Sequence, residues 1–285
     1  MSRHRILITG SSGRLGSALV RLLSRNHDVV QFDLHEPADA SQRELGPVHV
    51  GSITDRAAVA AAFDGVDTVV HAAAIPSNRA PYDELLRVNV GGTVNVLEEA
   101  GARHEVERFV FVSSIRVHGV LEGPGEQFMP RFLPFDETHP LLTVEYYGGS
   151  KVQAEHWCRM YVKRFRKPAV AIRPSWIHPE YPEPALPARA APDRPDLLQY
   201  VATSDLVDAI ARAMDYAPKD GFDRFLCHGA EQSSTTPTLE FIERHFPGVP
   251  VDRDALGACG EFAALVDCSH ARDALGWVPA FRVRR

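Results

Sequence analysis

The sequence predicts an α/β fold: a doubly wound parallel sheet followed by a small C-terminal lobe. Three observations lead there. Short β-branched apolar runs alternate with helix-period segments from Arg5 to Val112, which is the pattern of βαβ units. Most of those runs are apolar throughout, as strands buried on both faces are. A glycine-rich turn joins the first run to the first helical segment.

Arg5 to Thr9 forms the first run. Gly10-Ser11-Ser12-Gly13-Arg14-Leu15-Gly16 follows, then a helical pattern through Ala18, Leu19, Leu22 and Leu23. In a strand–turn–helix of this kind Gly10 permits the tight turn and Gly13 lets the backbone approach a pyrophosphate. Gly16 lets the helix lie close to the sheet, and the helix N-terminus offers free N–H groups to phosphate. Ser12, Arg14 and Leu15 lie in the same turn. The spacing is G-x-x-G-x-x-G, and a plain βα connection would account for the glycines equally well.

The second strand runs from Asp28 to Phe32 and ends in Asp33. A carboxylate there can accept hydrogen bonds from adenosine ribose hydroxyls and repels a 2′-phosphate. The pattern therefore favours NAD over NADP. The Arg14 guanidinium could partly offset the repulsion, and a solvated strand-end carboxylate is the alternative. Val48 to Val50 is a third strand, and Thr54 or Asp55 caps the helix after it. Asp67 to His71 is the fourth, closing on Ala72-Ala73-Ala74, whose small side chains leave room for a ligand or for close helix packing. A long helical pattern runs from Tyr82 to His104 and contains Asn89. Arg108 to Val112 is the fifth strand, ending in Ser113-Ser114.

Tyr147 and Lys151 are four residues apart at the head of the next helical pattern, so they share one face. An ammonium beside a phenol favours phenolate, which makes a general base.

Composition narrows the remaining classes. A net charge of -6 without a basic stripe argues against nucleic acid or an anionic membrane as partner. The four cysteines show no C-x-x-C spacing, and the thirteen histidines show no metal-ligand spacing, so no metal site is expected. The N-terminus has no secretory pattern and the apolar runs are too short to span a bilayer. A reduced cytoplasmic protein with free thiols is expected.

Taken in order, these residues resemble the extended short-chain dehydrogenases/reductases of the NAD-dependent epimerase/dehydratase family, built on the Rossmann fold. The matching residues are Gly10-x-x-Gly13-x-x-Gly16, Asp33, His71-Ala72-Ala73-Ala74, Val88-Asn89-Val90-Gly91-Gly92-Thr93, Phe111-Val112-Ser113-Ser114 and Tyr147-x-x-x-Lys151. Weaker matches continue through Ile172-Arg173-Pro174, Thr203 to Val207 and Leu275 to Pro279. The resemblance implies Tyr147 as the acid/base and Lys151 as the group that holds the nicotinamide ribose and depresses the phenol's pKa. It makes Ser114 the hydrogen-bond partner of the substrate oxygen. It places Ser52 and Ile53 beside the adenine, although the family usually has an acidic residue at Ser52. Asn89 would steady the strand end near the nicotinamide, and Pro174 and Ser175 would pack near that ring. It also implies a homodimer through the helices that hold Asn89 and Tyr147.

Within the family, Ile115 and Arg116 stand where dehydratases carry an acidic pair, which argues against elimination. The segment from Arg173 to Asp205 is short and proline-rich, too little to grip a nucleoside diphosphate. Length and the His178-Pro179-Glu180 turn resemble uronate dehydrogenases, which oxidise a free hexuronic acid at C1. Ile115 departs from that group's asparagine. Candidate substrate contacts are Ser77, Ser114, Arg116, Trp176 and Arg194; the last could clamp a carboxylate. The loop from Gly119 to Val144 holds Phe128, Phe132 and Phe135, which could cover substrate or fill the lobe's own core. His118, where the family often has Tyr, is expected to pack. Asp205 is expected to cap a helix or make a hinge contact.

The expectation is thus an NAD-binding domain with the catalytic helix over residues 1–173 and a substrate lobe over residues 174–285. The expected activity is NAD-dependent oxidation or reduction at a secondary hydroxyl of a small, sugar-like substrate. A nucleotide-sugar epimerase with the same triad and a non-catalytic NAD-binding regulator are the alternatives.

Overall fold

The structure, a computed structural model, describes residues 3–77, 80–120, 128–178 and 200–282. In the first part β1 (Arg5–Thr9), α1 (Arg14–Leu23), β2 (Asp28–Asp33), α2 (Ala40–Arg43), β3 (Val48–Val50), α3 (Arg56–Ala61) and β4 (Thr68–His71) follow one another. Next come α4 (Tyr82–Leu85), a π-helical stretch Leu86–Gly92, α5 (Thr93–Ala102), β5 (Arg108–Val112), a 3-10 turn Ile115–His118 and α6 (Tyr146–Phe165). The remainder holds β6 (Ala169–Pro174), β7 (Trp176–His178), β8 (Tyr200–Ala202), α7 (Thr203–Asp215), β9 (Phe222–Cys227), α8 (Thr238–His245), α9 (Arg253–Ala258) and α10 (Ser269–Leu275).

The main sheet has the order β3-β2-β1-β4-β5-β6-β9, and β1–β2, β1–β4, β2–β3, β4–β5 and β5–β6 pair in parallel. The winding goes outward from β1 to β3, then restarts on the other side of β1 with β4. In sheets wound this way ligands bind outside the carboxyl ends of the strands where that reversal occurs. The predicted doubly wound sheet is what forms.

The chain divides into two compact units, residues 1–113 with 145–172 and 210–224, and residues 114–144 with 173–209 and 225–285. In the first, strand alternation sends Leu7, Val30, Phe32, Val69, Phe109, Phe111, Ala169 and Ala171 into one core. Val59 of α3, Val96 and Leu97 of α5, and Ala154, Cys158 and Tyr161 of α6 complete it. Asp55 caps α3, its Oδ1 accepting from the N–H groups of Ala57 (2.9 Å) and Ala58 (3.2 Å). The long helical pattern expected from Tyr82 to His104 is present as an unbroken helical run to Ala102, with a π-helical stretch over Leu86–Gly92 in its middle. The Thr93 hydroxyl donates to the Asn89 carbonyl at 2.6 Å, and such back-bonding competes with the regular ladder and accompanies the π-helical widening.

In the second unit Leu133, Phe135, Leu226, Phe241, Ile242, Phe246 and Leu265 form the core, with Phe132 packed against it. In the loop from Gly119 to Val144, Leu133 bridges to Val251 and Phe135 to Val266. Phe135 is fully buried, so for Phe132 and Phe135 the core-filling role is observed. Residues 121–127 lie outside the described residues. A two-stranded parallel sheet of β7 and β8 was not legible in the sequence. Asp205 of α7 holds the C-terminal segment: its carboxylate accepts from Ala280 N (2.8 Å) and Phe281 N (3.1 Å), and its carbonyl accepts from Trp277 Nε1 (2.8 Å). This is a structural contact, as expected.

Replacing Asp205 with Ala leaves both amides without their carboxylate. Urea denaturation is expected to show a loss of about 1–3 kcal/mol, and limited proteolysis a faster clipping after Pro279.

Candidate active site

The glycine turn is held by its neighbours rather than by a side-chain cap. Gly10 adopts φ +73, and a Cβ on it would lie 2.8 Å from the backbone of Ala73. A Cβ on Gly16 would come within 1.9 Å of the Gly10 carbonyl. Both positions therefore require glycine. Gly13 is the N-cap of α1 with no side-chain hydrogen bond, so the first-turn amides at Arg14 and Leu15 are left to a ligand. At the end of β2, Asp33 accepts from Ser12 N at 2.8 Å and from Leu34 N at 2.7 Å. Each carboxylate oxygen keeps a second lone pair for ribose hydroxyls. A glycine cradle that no Cβ could share, an uncapped helix start and a carboxylate beside them fit a dinucleotide. Ser52 bonds Thr54 through its hydroxyl (2.8 Å). Ile53 buries its side chain in the core, and its carbonyl accepts from Asn95.

A directed chain of hydrogen bonds runs from the β4 end toward α6. Ala73 N donates to Thr9 Oγ1 (3.2 Å), and Thr9 Oγ1 lies 2.6 Å from His71 Nδ1. His71 Nε2 lies 2.9 Å from Thr93 Oγ1, whose proton goes to the Asn89 carbonyl. That proton order makes His71 the neutral Nε2–H tautomer. Burial, then the Lys151 charge, pushes its pKa down to about 3. The Asn89 side chain continues the chain. Its Oδ1 accepts from Ile75 N, and its Nδ2 donates to Ile75 O and to Ser150 Oγ, which donates to the Tyr147 carbonyl.

Tyr147 and Lys151 occupy one face of α6, with Lys151 Nζ 5.9 Å from the centre of the Tyr147 ring. The ammonium is 3% exposed, donates to the Val112 carbonyl at 2.8 Å and stands 4.8 Å over the Phe111 ring. Burial lowers its pKa to about 8, opposed by the field of the nearby Glu155 carboxylate. Glu155, one turn further along the face, accepts from Ser113 Oγ at 2.6 Å.

Ala72 and Ala74 are partly exposed just after β4, and Ser77 lies partly exposed in the following loop. In the second unit Ser114 is 7% exposed and caps the 3-10 turn, accepting from Arg116 N at 3.2 Å. Arg116 itself is partly exposed. Pro174 ends β6. Ser175 is buried, its N–H donates to Cys227 O (3.1 Å), and its hydroxyl makes no hydrogen bond among the described residues. Trp176 stands edge-on to His178 at 5.5 Å. Arg194 and the Pro179-Glu180 part of the predicted turn lie outside the described residues. His118 is buried, as expected, but also accepts from Arg173 at 3.1 Å through Nε2. Sequence reasoning missed Ser11, Gln31, Gln42, Ser150 and Glu155. Only Glu155 left a signal, as the next i+4 position after Tyr147 and Lys151. Among the described residues no His, Cys, Asp and Glu group could hold a metal, and no helix is long and apolar enough to cross a membrane.

Residues 6–193 match the NAD dependent epimerase/dehydratase family. The chain belongs to that family. It is 33% identical over 178 residues to the L-arabinose 1-dehydrogenase (NAD(P)(+)) of Haloferax volcanii, covering 61% of this chain and 67% of that one. It is 30% identical over 221 residues to a uronate dehydrogenase of Pseudomonas syringae pv. tomato, covering 76% and 72%. A short-chain dehydrogenase/reductase superfamily protein from Agrobacterium tumefaciens, solved with bound NAD, matches with a TM-score of 0.73 at 25% identity, covering 99% and 94%. The UDP-glucose 4-epimerase of Thermotoga maritima shares the fold, with a TM-score of 0.71 at 18% identity over 98% and 94% of the two chains. As a member of this family the chain is an NAD-dependent enzyme of the dehydrogenase or epimerase type.

The buried imidazoles set an acid limit. His71 and His118 are pushed down to about 3 and His228 to about 4, in each case chiefly by burial. The unfolded chain therefore binds more protons below pH ~6.5, so stability is full above that value and falls as pH drops toward the folded pKa values. Urea titrations between pH 7 and 4 are expected to lose up to about 1.4 kcal/mol per pH unit per histidine, and His118→Gln to reduce that slope.

Proposed function

We propose that this chain is an NAD-dependent dehydrogenase of a small sugar or sugar acid, acting at a ring hydroxyl with Tyr147 as base. The buried Lys151 ammonium on the Tyr147 face of α6 carries this reading. Its charge in a low-dielectric site favours phenolate at Tyr147, because the cation is stabilised by the Val112 carbonyl and by no nearer carboxylate contact among the described residues. Tyr147 takes the hydroxyl proton as the alcohol becomes a carbonyl. Ser114 assists: its oxygen already accepts from Arg116 N, so its own proton remains to donate to the substrate oxygen. Lys151 keeps two further N–H donors for ribose hydroxyls. Bound NAD supplies the two-electron acceptor.

The named activities of the two relatives above, on L-arabinose and on uronate, support a free sugar or sugar acid as substrate. The epimerase reading draws on the fold shared with a UDP-glucose 4-epimerase and on a putative UDP-glucose 4-epimerase of Methanocaldococcus jannaschii at 28% identity, below the identity of the two dehydrogenases above. A cytoplasmic homodimer belongs to the same proposal; Leu86, Trp157 and Met160 leave partly exposed apolar surface that a second copy would cover. Light scattering is expected to return twice the mass of the 31.5 kDa chain.

The test is net formation of reduced nicotinamide, followed by absorbance, with NAD against uronates, aldoses and nucleotide sugars. Accumulation with a free sugar or uronate is expected. Redox-neutral conversion of a nucleotide sugar alone would replace this reading by the epimerase one. Tyr147→Phe is expected to lower kcat by about 10²–10⁴-fold. Lys151→Met is expected to move the rising limb of the kcat profile to higher pH, since loss of the cation raises the phenol's pKa.

A further inference from the structure

Beneath the glycine turn two glutamines are almost wholly enclosed, Gln31 at 0% and Gln42 at 1% exposure. Gln31 occupies the middle of β2, between Val30 and Phe32, on the face opposite theirs. Its Nε2 donates to the carbonyls of Gln42 (3.0 Å) and Gly46 (3.1 Å), and its Oε1 accepts from Gln42 Nε2 (3.1 Å). The second proton of Gln42 Nε2 goes to the carbonyl of Ser11 at 2.9 Å. All four amide protons are used, and turning either amide over would set oxygen against oxygen.

The Ser11 carbonyl and the Ser12 N–H belong to one peptide group. Gln42 holds its oxygen end, and Asp33 Oδ2 holds its nitrogen end at 2.8 Å. That peptide plane is therefore clamped from both sides. Asp33 is in turn oriented by two N–H groups, Leu34 N on Oδ1 at 2.7 Å and Ser12 N on Oδ2; only the second depends on the plane of the Ser11–Ser12 peptide. Were the Gln42 bond lost, the Ser11 carbonyl would keep only the long contact from the Ser17 hydroxyl at 3.4 Å, and the plane could rotate about its flanking bonds, taking the Ser12 N–H off the carboxylate. Asp33 would then stand in a different orientation toward a ribose. The Ser12 hydroxyl, which donates to His35 O at 2.8 Å, anchors the residue but leaves the plane free to turn.

The geometry points to Gln42, braced by Gln31, as a positioning and specificity-determining residue for the dinucleotide: it orients Asp33 and so favours NAD over NADP. This rests on the NAD site of the preceding subsections. Gln42 touches no ligand and acts through the Ser11–Ser12 peptide. Its loss weakens the ribose contact that NAD makes with Asp33 and, at the same time, relaxes the repulsion of a 2′-phosphate.

The experiment is titration calorimetry of the full chain with NAD and with NADP. Gln42→Met is near in volume and cannot donate. It is expected to raise the NAD Kd by at least about tenfold, the scale of one lost hydrogen bond, and the NADP Kd by less than about threefold, so that discrimination shrinks. Gln42→Asn keeps an amide in the enclosed site but is one methylene short of Ser11; it is expected to show the same narrowing and serves if the Met variant does not fold. An unchanged NAD Kd in a folded variant overturns the inference. Equal weakening of both dinucleotides also overturns it, since that is what a merely structural brace would give. A wild-type chain that binds neither dinucleotide would overturn the NAD site itself, whereas wild-type binding with unaltered variants removes only the role of Gln42.

Discussion

The imidazole of His71 has no solvent exposure and stands between the hydroxyls of Thr9 and Thr93. Because it is neutral, it donates on one side and accepts on the other, and this gives the surrounding bonds a single direction. The end of β1, the end of β4, the π-helical stretch and, through Asn89 and Ser150, the first turn of α6 are joined in that sequence. A cation at His71 would present two donors, and Thr9 would then have to give up its own donation. The Lys151 ammonium nearby helps to keep the ring neutral. The same network that aligns the glycine-turn strand with the tyrosine helix therefore depends on which buried group carries the charge.

Lys151 is the group that does. A buried ammonium is costly unless a carbonyl, a ring face or a carboxylate field compensates. Here the Val112 carbonyl at the end of β5 and the Phe111 ring lie against it, with Glu155 further along α6 held by Ser113. The pKa near 8 records a balance in which burial outweighs those fields. A lysine placed this way is charged near neutral pH yet strongly felt by its neighbours, which suits a phenol that must exchange a proton.

At the glycine turn the constraint is steric. Gly10 and Gly16 are glycine because the Ala73 backbone and the Gly10 carbonyl occupy the space a Cβ would need. The turn is then held through its Ser11–Ser12 peptide, whose N–H donates to Asp33 and whose carbonyl accepts from Gln42. Main-chain clamping of this kind leaves the first-turn amides of α1 uncommitted.

The sequence by itself determined the order of the first five strands and the helix that carries Tyr147, because period and glycine spacing are local, but it left α2 unmarked. It also determined the pairing of Tyr147 with Lys151, because i and i+4 meet on any helix. It named Asp33, since a strand end before a turn is visible in one dimension. Tertiary structure alone decided what those residues bond to. Gln31 and Gln42 are eleven positions apart and looked like ordinary polar residues; they meet only because α2 folds back against β2. The π-helical stretch inside the Tyr82–His104 helical run accompanies a Thr93 hydroxyl that donates to Asn89 and lies against His71. The fates of Phe132 and Phe135 turned on whether the lobe had a core to fill, and it does. Contacts between residues far apart in the chain have no periodicity to betray them, and here they orient the site that local pattern could only locate.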